Sequence, residues 1–97
     1  MTDEIRLVIP TAEDMIKTLV QGVNVLQETS SKMEKVASTL EGGALLGQGG
    51  TAFTEAIRDA LIPAIGRLEE KYQELAQDVR KAIEDMQEAD EESAGKF

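Results

Sequence analysis

Carboxylates are the residues best placed to do chemistry in this chain. Nineteen Asp and Glu stand among 97 residues, several side by side: Glu69–Glu70, Glu84–Asp85 and Asp90–Glu91–Glu92. A carboxylate pair becomes an acid–base couple only when a cleft pulls its two pKa values apart. These pairs lie in helix-patterned stretches and read as solvated faces. There is no histidine and no cysteine, so the commonest general base, the usual zinc ligands, a thiolate nucleophile and a disulfide are all excluded. The Glu-x-x-His ligand pattern of di-metal helix bundles is excluded with them. The glycine-rich stretch Gly42–Gly50 lacks the Lys-Ser/Thr of a phosphate loop, and no strand leads into it. The expectation is a protein that is not an enzyme and takes no metal or cofactor.

The apolar residues carry the organisation. From Thr11 onward, Ala12, Ile16, Leu19, Val23, Leu26, Ser30, Met33, Ala37 and Leu40 recur in alternating steps of four and three, the seam of an amphipathic helix. Residues 4–9 read as a short extended piece closed by Pro10, with Thr11 as the helix cap and Asp14 completing a capping box. A second series, Phe53, Ile57, Leu61, Ala64, Leu68, Tyr72, Leu75, Val79, Ala82, Met86 and Ala89, keeps steps of three or four throughout. Thr51 reads as its cap. Two pairs of successive four-residue steps disturb a strict heptad, and Pro63 predicts a kink in a continuous helix, with a break into two helices as the alternative. Glu13–Lys17, Glu28–Lys32 and Lys81–Asp85 add opposite charges at helical spacing, each worth only tenths of a kcal/mol.

The expected fold is all-α: one antiparallel two-helix hairpin with helix 1 at about 11–41, a glycine-rich bend at 42–50, helix 2 at about 51–90 and a flexible acidic tail at 91–97. Two helices alone leave part of such wide stripes uncovered, including Met15, Ile16, Val36, Ala60 and Ile65, and a chain of this size is marginal without a staple. Pairing with a second hairpin into a four-helix bundle is the expected remedy. Ile16, Leu19, Val23, Leu26, Met33, Leu61 and Leu68 are the expected dimer interface. Gly22, Ala37, Ala60, Ala64 and Gly66 are small enough to let helices approach, or are simple filler.

The net charge of −9 argues against nucleic acid and anionic membrane surfaces as partners. No apolar run reaches the roughly 20 residues of a membrane span, so no stable membrane insertion is expected. The start, MTDEIRLVIP, does not read as a cleavable signal.

Joint order and spacing resemble the WXG family, the small early-secreted-antigen-type helical hairpins of type VII secretion systems. That family carries Trp-x-Gly at the bend and an aromatic about eight residues after the Trp; here Leu45-Leu46-Gly47 stands at the bend and Phe53 follows. The opening Ile5-Arg6-Leu7-Val8-Ile9-Pro10 also matches the family's usual start. The family's Tyr-x-x-x-Asp/Glu export motif corresponds to Met86 through Asp90, with the acid present and the Tyr replaced. The resemblance implies a bacterial protein, cytoplasmic before export and secreted without a cleavable signal peptide. It implies a homodimer, or a heterodimer with a sister hairpin. It further implies a composite export signal of bend and C-terminal motif, read by an FtsK/SpoIIIE-like ATPase. Leu45 and Gly47 would shape the bend, and Met86, Asp90 and a terminal hook at Phe97 would serve export. The same stripes also suit a cytosolic adaptor or chaperone-like interaction module that is never secreted.

Overall fold

The computed structural model describes residues 2–44 and 47–95, with side chains over 8–43 and 47–91. It is a helical hairpin. Helix α1 runs Thr2–Thr39 and ends in a wide turn, Leu40–Ala44, that breaks at Gly43 (φ 116°, ψ 6°). The chain re-enters helix at α2, Gln48–Glu55, passes through a π-helical turn, Ala56–Leu61, and continues as α3, Ile62–Gly95. The result is a rod of 75 × 16 × 14 Å.

Glycine is required at two places in the reversal. Gly43 and Gly47 both have positive φ, 116° and 107°, a region that a Cβ disfavours. Gly47 caps α2 without a side chain. Thr51, expected as the cap, lies in the first turn instead, and both its amide and its hydroxyl donate to the Gly47 carbonyl at 3.2 Å. Leu45 lies outside the described residues, as does Phe97.

The helix boundaries differ from the sequence expectation at both far ends. Helix α1 begins at Thr2 rather than Thr11 and carries Pro10 inside it, so residues 4–9 are helical, not extended. One proline removes a single backbone donor, and the heptad continues through it: Ile9 is half-buried in phase with Ile16 and Val23. Helix α3 likewise runs to Gly95 rather than giving way to a tail at 91.

At Pro63 the helical path stays continuous. The π-helical turn directly before it bonds over five residues, as where the Ile62 amide donates to the Ile57 carbonyl. Pro63 has no N–H to offer Asp59 in the ordinary four-residue pattern, and the wider turn spares the backbone that demand. It also holds one extra residue. This accounts for the first irregularity in the apolar spacing: Phe53 to Leu61 is eight residues, and Leu61, Leu68 and Leu75 then follow at seven.

Every member of the predicted α1 series is buried or half-buried, with Val23 and Ala37 deepest. Facing them on α3 are Ile62, Ile65, Glu69, Tyr72, Ala76, Val79, Ile83, Met86 and Asp90, all buried or half-buried, preceded by Gly50, Thr54 and Ile57. Ile65, expected to face water, is a core residue, and Ile16, expected to face water with it, is half-buried in the seam. Leu61, Ala64, Leu68, Leu75, Ala82 and Ala89, expected in the stripe, lie outside the seam together with Phe53. At the middle, Gly22 lies against Tyr72: a Cβ built there would stand 2.6 Å from the Tyr72 ring.

Candidate interaction surface

The seam divides the rod into two long flanks, and residues seven apart form rows along each. On one flank α1 presents Glu13, Val20, Gln27, Glu34 and Glu41, while the returning chain presents Arg58, Gln73, Arg80 and Gln87. Arg58 ties this side together. Its guanidinium donates to Glu34 at 2.8 Å, to Glu41, and to the Ser38 hydroxyl at 3.4 Å. These hydrogen bonds, Glu34 first and Glu41 second, raise the Arg58 pKa above its ordinary value. Farther along, Val20, Asn24, Gln73, Gln77 and Arg80 edge a recess of about 420 Å³ over Leu19, Val23 and Ala76. A second recess, about 320 Å³, lies at the bend between Leu40, Gly47, Gly50 and Thr54.

The opposite flank is apolar. On α3 it carries the row Leu61, Leu68, Leu75, Ala82 and Ala89, which Phe53 extends across the π-helical turn. The large members are 42%, 44%, 49% and 54% exposed for Leu61, Leu68, Leu75 and Phe53. On α1 the matching row is Val8, Met15, Gly22, Thr29 and Val36, with Val8, Met15 and Val36 exposed. No charged residue occurs in either row. Thr18 and Thr29 turn their hydroxyls back to the carbonyls of Asp14 and Val25, which leaves mainly methyl groups outward.

The residues expected to form a dimer interface therefore divide. Ile16, Leu19, Val23, Leu26 and Met33 are buried or half-buried in the hairpin's own seam, whereas Leu61 and Leu68 stand on the apolar flank. Met86 and Asp90, read as export-signal residues, are half-buried on the seam side of α3. Gly47 is exposed at the bend. Of the helical charge pairs, Lys81–Asp85 closes at 3.4 Å, and Lys71–Glu74 joins it at 3.3 Å. Among the described residues no set of three His, Cys, Asp or Glu side chains converges to hold a cation, and no helix is long and apolar enough to cross a membrane.

Sequence reasoning missed that the bulkiest row of helix 2 faces outward. The signal was present: a helix with three apolar rows has one more than a single neighbour covers.

No known family model, curated protein or solved structure matches this chain.

Proposed function

We propose that this protein works by helix–helix association, as a non-enzymatic substrate or co-secreted partner of a type VII secretion system. The observation that carries the reading is the uncharged flank of Leu61, Leu68 and Leu75 beside Met15 and Val36. A compact monomer of 10.5 kDa exposes roughly 5,400 Å², whereas this chain exposes 7215 Å². The surplus is comparable to what a stable protein–protein interface removes from water. A second hairpin laid on the flank completes a four-helix bundle. In this reading the bend at Gly47 on one hairpin and Met86–Asp90 on the other form the composite export signal, and the FtsK/SpoIIIE-like ATPase reads it.

The experiment is secretion of the tagged full chain from a bacterium with a type VII system, with and without its ATPase. Appearance in the medium only when the ATPase works is the expected result. Retention in the cytoplasm in both strains overturns the secretion reading in favour of a cytosolic adaptor. Truncation after Glu92 is expected to abolish export while leaving association intact, and export that persists removes the tail from the signal.

A further inference from the structure

We propose that the recess over Leu19, Val23 and Ala76 binds a small amphipathic carboxylate, a medium-chain fatty acid in chemical class, with its tail on that floor and its head on Arg80. The site lies on the polar flank, away from the apolar rows, so the inference does not depend on the function proposed above.

The recess follows from the seam. Gly22 lies against Tyr72, and one turn farther along α3 the seam row drops from that tyrosine to Ala76. A methyl group does not fill the space beside Leu19 and Val23. What remains is a hollow of about 420 Å³, within the size range of small-molecule sites. Its long direction follows the helices, because the α3 residues that line it run from Tyr72 to Arg80, about 12 Å of helix. That length suits an aliphatic chain with its head at one end.

The lining fits such a ligand at both ends. Val23 and Ala76 are buried beneath it, so the floor is apolar. Asn24, Gln73, Gln77 and Arg80 edge it, and none of the nine lining residues is acidic in a chain that holds nineteen carboxylates. An anion therefore enters without meeting a like charge in the wall.

The two arginines of this flank differ. Arg58 spends its guanidinium on Glu34, Glu41 and Ser38. The Arg80 side chain makes no ion pair with any described residue, Glu13 at the head of the facing row included. Its planar fork is open to both oxygens of a carboxylate, and the amides of Gln73 and Gln77 bring further N–H donors to the rim. A protein helix laid on this flank would have to desolvate Glu13 and the Arg58 cluster as well. A single slender chain reaches the floor without touching them.

The test titrates octanoate, below its micelle concentration, into the full chain and follows the backbone amide resonances by NMR. Saturable shifts centred on residues 19–24 and 72–80 are expected, with a submillimolar Kd. Octanol keeps the tail without the charge and acetate the charge without the tail; each is expected to bind at least about tenfold more weakly. Arg80→Gln is expected to weaken octanoate at least about tenfold. Gln73→Glu, which sets a carboxylate on the rim, is expected to weaken it severalfold. Arg67→Gln, at an exposed arginine outside the recess, is expected to change it by no more than about twofold. Ala76→Leu fills the floor and is expected to abolish binding; should it lose its helical circular dichroism, Arg80→Gln and Gln73→Glu decide. Absence of saturable binding overturns the proposal. So do shifts that follow Leu61, Leu68 and Leu75 instead, octanol binding as tightly as octanoate, or equal losses in Arg67→Gln and Arg80→Gln. A chain that binds octanoate and is never exported overturns the secretion reading and leaves this one standing; an exported chain with no octanoate site does the reverse.

Discussion

On one flank of the rod, Arg58 bridges the helices to Glu34, Ser38 and Glu41; on the other, Leu61, Leu68 and Leu75 run beside Met15 and Val36. The two sides are built from the same pair of helices and answer water in opposite ways. The polar flank is satisfied by its own cross-links and by solvent, so covering it gains little and strips charges of hydration. The apolar flank gains about 25 cal/mol for each Å² covered. The hairpin's internal seam and its apolar flank are therefore separate sets of residues on adjacent rows, so each is open to change without the other.

That separation can be broken most severely at the seam. Ile65→Ala removes a buried side chain and is expected to cost about 2–4 kcal/mol in urea unfolding. Leu75→Ala, read in a dilute sample where chains are monomeric, is expected to cost no more than about 0.5 kcal/mol. Equal losses at the two positions would abolish the distinction between seam and flank. An intermediate effect is expected at Gly22, where the apolar row touches the seam. Gly22→Ala improves helix propensity by about 1 kcal/mol but drives a methyl into the Tyr72 ring, and overpacking of this kind costs about 1–3 kcal/mol. Net destabilisation is expected in the native background. A gain in stability is expected once Tyr72→Leu has vacated the space, and thermal melts of the four combinations read the coupling. The smallest effect belongs to the polar flank. Arg58→Gln is expected to lower the melting temperature slightly at low salt, with the difference shrinking as ionic strength rises, because exposed ion pairs are screened. A loss indifferent to salt would show that Arg58 acts through packing rather than charge.

The hairpin itself was legible from spacing alone. The α1 series from Ala12 to Leu40 lies along the seam without exception, because that helix keeps a regular alternation of fours and threes. On helix 2 the largest side chains drew the reading outward. Tyr72, Val79 and Met86 were correctly placed toward α1, but Leu61, Leu68 and Leu75 were paired with them in preference to Ile65, Ala76 and Ile83. The true seam row also holds Glu69 and Asp90, whose charges disguised it. Periodicity says that a row exists; it does not say which of three adjacent rows a neighbour takes. Pro10 misled in another way, since its local preference to interrupt a helix is weaker than the gain from continuing two aligned rows. The surface has no separate motif to find. It is legible only as the row left over once the seam is known.

The π-helical turn at Ala56–Leu61 acts as a phase corrector. Were the same residues wound as ordinary α-helix, everything after the turn would be rotated by about 100° about the helix axis, and Phe53 would no longer share a side with the leucines. Deleting Ala60 would therefore bring Phe53 to seven residues from Leu61, let the turn close as ordinary α-helix and leave the apolar strip continuous. At the present length the strip is continuous only through this turn, on which the alignment of more than thirty downstream residues rests.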